Sequence, residues 1–145
     1  SISSRAWSGL PRSLKNFEKA LERDPACCDA WYLIGYCHQK NADYQKAIEA
    51  CDKSLSINEE NPSALIIKAN TLFLMKDTSQ AIVLFMKAKE FSPDKIDAYY
   101  GLALMLHLNG KNNDAKTVLE EMEKFGAKTP KIRDNKKINQ LKTSL

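Results

Sequence analysis

Residues 30–51 read AWYLIGYCHQKNADYQKAIEAC, residues 64–85 read ALIIKANTLFLMKDTSQAIVLF, and residues 98–119 read AYYGLALMLHLNGKNNDAKTVL. Laid over one another at a step of 34 residues, they put Ala47, Ala81 and Ala115 in one column and Ala30, Ala64 and Ala98 in another. Gly35, Ala69 and Ala103 form a third column, and Phe17, Cys51, Phe85 and Leu119 a fourth. The same step joins Ala20, Ser54 and Ala88, and two steps join Pro25 to Pro93. The columns agree in residue size as well as spacing. A fixed period of roughly 20–50 residues marks a repeat array, in which each unit buries its apolar face only by stacking on its neighbours.

These residues resemble the tetratricopeptide repeat (TPR), a helix–turn–helix unit with W, L-G, Y, A, F, A and P at set offsets. Trp31, Ile34-Gly35, Ala47 and Cys51 carry the pattern in one unit, and Phe17, Ala20 and Pro25 carry the end of the unit before it. Ala69, Ala81, Phe85, Ala88 and Pro93 carry it in the next, and Tyr99, Ala103 and Ala115 in the last. The resemblance covers about residues 10–125. Departures are local: His38 and Leu72 stand where the family usually has an aromatic, and Glu59 replaces a proline. The resemblance implies an all-α fold, a right-handed α-solenoid of TPR hairpins closed by a C-terminal capping helix.

The period divides the chain into a non-repeat segment 1–9, a half repeat 10–27, repeats 28–61, 62–95 and 96–129, and a basic C-terminal capping helix 130–145. Each repeat has a first helix, a turn and a second helix. The turns fall at Asn41-Ala42-Asp43, Lys76-Asp77 and Asn109-Gly110-Lys111, residues that favour caps and tight turns. Ala47, Ile48, Cys51 and Leu55 form the stripe of a half-buried helix. The expected architecture is seven main helices with essentially no strand.

Both ends depart from the pattern. Residues 1–9 fall in the register of a first helix but match it poorly, which suits an array entered part-way through a repeat. Leu14, Phe17 and Leu21 then lack part of their usual cover, to be supplied by residues 1–9 or by a second copy in a homodimer. At the other end Met122 replaces a small residue, and Lys116 and Glu123 replace apolar ones. Gly126 stops that helix, and Thr129-Pro130 reads as the N-cap and first turn of another. Lys137 takes the slot of the packing glycine, so this is no fifth repeat; Ile138, Leu141 and Leu145 are spaced to cap the array.

A chain of 145 residues suits one domain, and 43% hydrophobic residues can build a core. No stretch approaches the roughly 18 consecutive apolar residues of a membrane span, and no leader pattern opens the chain, so the expected location is cytoplasmic. Residues 126–145 hold Lys128, Lys131, Arg133, Lys136, Lys137 and Lys142 against Asp134 alone. Such a tail can attract nucleic acid or an acidic partner, or simply keep the last hairpin soluble. It has no aromatic to stack on a base, which favours the second use.

Nothing in the sequence points to an enzyme, a metal or a cofactor. Cys27, Cys28, Cys37 and Cys51 lack the spacing of a zinc pair; Cys37 and Cys51 read as small buried hydrophobes, at home in a reducing compartment. His38 fills a packing slot, and His107 is isolated from any nucleophile or base partner. No glycine-rich phosphate loop, nucleophile elbow or HExxH pattern is present.

The surface remains. In TPR arrays the first helices line a concave groove that holds an extended peptide or a partner helix. Carried across, the groove-facing slots are Asp29, Tyr32, Tyr36 and Gln39, then Ser63, Ile66, Asn70, Phe73 and Leu74, then Asp97, Tyr100, Leu104, His107 and Leu108. The expected function is a protein-interaction scaffold binding a partner protein there. A chaperone-type carboxylate clamp is not expected. Its Lys, Asn, Asn, Lys and Arg slots are held here by Tyr32, Tyr36, Ile67, Asp97 and Gly101. The alternative is an RNA-binding helical-hairpin array that uses the basic tail; the groove positions themselves read as not basic.

Overall fold

A small residue wherever two helices must cross is the constraint that builds this molecule. In the computed structural model, which describes residues 10–93, 95–126 and 136–145, Ala47, Ala81 and Ala115 are completely buried, as are Ala64, Ala69, Ala98 and Ala103. The described residues form eight helices and no strand: α1 (Leu10–Arg23), α2 (Cys28–Lys40), α3 (Tyr44–Ile57), α4 (Pro62–Leu74), α5 (Thr78–Phe91), α6 (Ile96–Leu108), α7 (Asn112–Gly126) and α8 (Lys136–Ser144). That is one more than the expected seven, because an opening helix, three two-helix hairpins and a closing helix make eight.

The hairpins are α2–α3, α4–α5 and α6–α7, and each second helix also packs on the first helix of the next hairpin. The first helices α2, α4 and α6 touch one another in turn, and this draws them to the inside of the curve. Gly35 shows how close a hairpin comes: a Cβ there would lie 2.8 Å from Cys51 Sγ and 3.1 Å from the Ala47 carbonyl oxygen. Gly101 serves the contact between hairpins, where a Cβ would fall 2.3 Å from the Phe85 ring. Phe85 is fully buried in the space that glycine leaves.

Ser54 is the one polar residue in the Ala20–Ser54–Ala88 column, and it is completely buried. Its hydroxyl donates to the Cys28 carbonyl at 2.9 Å, so the buried group is satisfied. Asn61 caps α4, its side chain accepting from the Ser63 and Ala64 amides ahead of Pro62 in the first turn.

At the C-terminal end Ile138 and Leu141 of α8 are buried in the core with Val118, Leu119 and Met122, and Leu145 packs against it. Lys142 pairs with Glu123 across this contact. The segment 127–135, including the expected start at Thr129-Pro130, lies outside the described residues, as do residues 1–9. At the N-terminal end Leu14, Phe17 and Leu21 are each only half-buried.

Candidate peptide-binding groove

The inward faces of α2, α4 and α6 enclose one concavity of about 530 Å³. Each helix contributes through residues spaced three or four apart, which places them on one face. Of the slots read from sequence, Tyr32, Tyr36 and Gln39, Ser63, Ile66 and Asn70, and Asp97, Tyr100 and Leu104 all line it. Asp29, Phe73, Leu74, His107 and Leu108 do not.

The reasons for those five are local. Phe73 is half-buried and packs against the core. His107 turns aside, with Nδ1 2.8 Å from Oδ1 of Asn112 at the start of α7. Asp29 sits exposed in the first turn of α2 beside Cys28. Leu74 and Leu108 are the last residues of α4 and α6, 45% and 56% exposed, one helical turn beyond Asn70 and Leu104.

Several groove side chains are already engaged. Gln39 donates to the Ile67 carbonyl at 3.3 Å and to Thr71 Oγ1 at 3.1 Å, tying α2 to α4. Lys95, the residue capping the start of α6, donates to Ser63 Oγ at 2.9 Å and ties α4 to α6. These two bridges fix the spacing of the three helices. Asn70, half-buried between them, makes no side-chain hydrogen bond among the described residues, so its amide can both donate and accept. Tyr36 is 43% exposed, with the Lys40 ammonium 5.3 Å from its ring centroid. The lining is thus aromatic and aliphatic, with one uncommitted amide near its middle.

The sequence reading missed Lys40, Lys95 and Lys137, all of which line the concavity, against Asp97 as the single acid among the described lining residues. The groove is therefore more basic than its helix slots alone imply. Lys95 precedes the helix from which slots were counted, and Lys137 comes from α8, outside the repeat register. No period could have placed it.

Buried titratable groups lie elsewhere. Burial lowers the His38 pKa from its ordinary value and raises that of Cys37; burial, with Asp52 nearby, pushes Cys51 up to about 12. Among the described residues no group of three or more His, Cys, Asp or Glu is placed to hold a metal ion, and no helix is long and apolar enough to cross a membrane.

Residues 12–88, just over half of the chain, match the family model described as "Anaphase-promoting complex, cyclosome, subunit 3". The chain belongs to this family of tetratricopeptide-repeat proteins. Among curated relatives, "Anaphase-promoting complex subunit 3" of Schizosaccharomyces pombe is 26% identical over 98 residues, 68% of this chain. "Protein O-mannosyl-transferase TMTC1" of Mus musculus is 22% identical over 119 residues, 79% of the chain. The chain spans only 15% and 13% of these two relatives' lengths. Among solved structures, TTC0263, a thermophilic TPR protein of Thermus thermophilus, superposes with a TM-score of 0.76 at 18% identity. The match covers 99% of this chain and 78% of that one. The molecule is a right-handed TPR solenoid closed by a capping helix.

Proposed function

We propose that this TPR chain is a scaffold module that holds a peptide or helix of a partner protein in the concave groove. TPR folds in general mediate protein–protein interaction and complex assembly. What supports the finer reading is the convergence of Tyr32, Tyr36 and Tyr100 around an Asn70 amide that no described neighbour engages. Tyrosines combine large contact area with a polar tip and suit binding hot spots. Asn70 can pair with a peptide backbone, as a strand neighbour would. The clamp slots for a chaperone tail stay filled by Tyr32, Tyr36, Ile67, Asp97 and Gly101, so a terminal carboxylate is not the recognised group.

On this reading the chain works by binding and not by catalysis. We place that work in the cytoplasm, where its four free thiols persist unpaired. Tyr36→Ala combined with Asn70→Ala is expected to weaken partner capture by at least about 2 kcal/mol, the scale of a hot spot. Thermal stability should fall much less. A double variant that unfolds while its folded fraction binds normally would make these residues packing only. Lys40, Lys95 and Lys137 lend support to the second reading, an RNA-binding array. A salt titration against single-stranded RNA tests it, because phosphate-driven binding falls steeply with salt.

A further inference from the structure

We infer that the occupant of this groove is an acidic amphipathic segment, its carboxylates set against the groove lysines and its apolar side chains against Ile66, Leu104 and the exposed leucines that end α4 and α6. The inference rests on the groove being the binding surface, and it adds the partner's chemistry.

The concavity carries lysines at both of its ends. One is formed where α4 and α6 begin, at Ser63 and Asp97, joined by Lys95 and, from α8, Lys137. Lys136 adds a further charge beside Asp97 and Tyr100. At the other, Lys40 ends α2 inside the concavity, while Leu74 and Leu108, in the same repeat column, end α4 and α6 outside its lining, both well exposed. Eleven residues separate Ser63 from Leu74 and Asp97 from Leu108, so at a rise of about 1.5 Å each the two ends stand about 16 Å apart. A bound segment can thus be read by both at once.

Charge decides the sign of the partner. The ion pairs among the described residues are Lys68–Asp52, Lys89–Glu121 and Lys142–Glu123, none of them in the groove. Lys40, Lys95 and Lys137 therefore face the concavity without a described carboxylate partner, and Asp97 offsets only one of them. A segment bearing Asp or Glu meets complementary potential, and a basic one is repelled. Ile66, Leu104 and the exposed leucines require apolar side chains on the same segment. That requirement favours a peptide over a nucleic acid, which has no aliphatic side chains to set on them.

The test is a random-peptide phage selection on the full chain, on Tyr36→Ala/Asn70→Ala, and on Lys40→Glu/Lys137→Glu, whose two lysines are exposed and free to change without unfolding. Circular dichroism checks each fold. The expected pool from the native chain is enriched in Asp and Glu beside large apolar residues. The lysine reversals should weaken those peptides about tenfold, as loss of two rim attractions implies, and turn the enrichment toward Lys and Arg. A neutral or basic pool that still needs Tyr36 and Asn70 overturns the acidic partner and leaves the groove standing. Peptides indifferent to Tyr36 and Asn70 overturn the groove itself, and no enrichment overturns both. A poly-uridine oligonucleotide that displaces the selected peptides and binds more tightly would replace the peptide with RNA.

Discussion

Gly101 and Phe85 show what a single position can decide. Phe85 on α5 takes the space that Gly101 leaves on α6, where the same repeat column carries Leu33 in α2 and Ile67 in α4. Gly101→Ala is expected to destabilise by about 1–3 kcal/mol, the usual cost of overpacking, and Phe85→Leu should restore part of the loss. Thermal unfolding of the two single variants and the double measures it; additive losses would mean the pair does not couple. His38 offers a pH handle. Burial, opposed by Asp43, holds its pKa below the ordinary 6.5, so the unfolded chain takes up the proton first. Stability is then full above about pH 6.5 and declines as the pH falls through that value toward the lower folded pKa. His38→Gln should flatten that part of a denaturant midpoint-versus-pH curve, and an unchanged slope would assign it to the carboxylates. The cysteines divide by the same logic. Cys51, with its pKa pushed up to about 12 by burial, and Cys37, also raised, should resist a thiol-reactive dye until the chain unfolds. Cys27 and Cys28, half-buried at the start of α2, should label first.

At the scale of an element, the three hairpin turns are one motif written in different residues. Asp43, Asp77 and Lys111 each donate their amide at 2.8 Å to the carbonyl five residues back, at His38, Leu72 and Leu106. Ala42, Lys76 and Gly110 each donate to the carbonyl three back and hold φ of 63°, 71° and 79°. This is the Schellman end, whose left-handed residue favours glycine. Only the last turn has it. Lys76→Gly is therefore expected to raise stability by about 0.5–1 kcal/mol, relief of left-handed strain outweighing the added freedom of the unfolded chain, with Gly110→Ala losing a similar amount. Chemical denaturation reads both; a destabilised Lys76→Gly would mean the lysine side chain contributes more than its backbone strain removes. The turns were legible in sequence because Asn, Asp and Gly mark them, and the hairpins were legible because helix crossings exclude large side chains. The groove was legible where slots step along one face, as in Tyr32–Tyr36 and Ser63–Ile66–Asn70. It failed at Phe73 and His107, one turn further round, where a step of three residues swings the side chain about 60° toward neighbouring elements. Gln39, in the same column, lines the groove but spends its amide nitrogen on α4. Lys95 and Lys137 could not be read from the repeat, because one lies before its helix and the other belongs to a helix that does not repeat; Lys40 shares the column of Leu74 and Leu108 and could have been.

Among the described residues the array is closed at one end and open at the other. In a stacked array every second helix needs two partners, so each terminus presents a face that a further element must cover. At the C-terminus α8 does so: Ile138 is 1% and Leu141 5% exposed, against the buried Val118, Leu119 and Met122. At the N-terminus α1 packs chiefly on α2, and Leu14, Phe17 and Leu21 stay half-buried. Fully burying one such side chain is worth about 1.5–3 kcal/mol, so a row of three left partly in water favours a cover. Residues 1–9 can supply it within one chain, and a second copy can supply it by pairing α1 against α1 across a two-fold axis. A second copy is the expected outcome: sedimentation should give a weight-average mass that rises with concentration, and Phe17→Ser should return the chain to monomer without touching the groove. A strict monomer whose α1 amides exchange as slowly as those of α4 would assign the cover to residues 1–9 instead. A strict monomer with rapidly exchanging α1 would leave the face uncovered, α1 then fraying because its own burial is too small to offset the entropy of ordering it. The same experiment bears on the groove. Its walls begin at α2, so a frayed α1 would loosen Tyr32 and Tyr36, and partner affinity should fall wherever α1 exchange is fast.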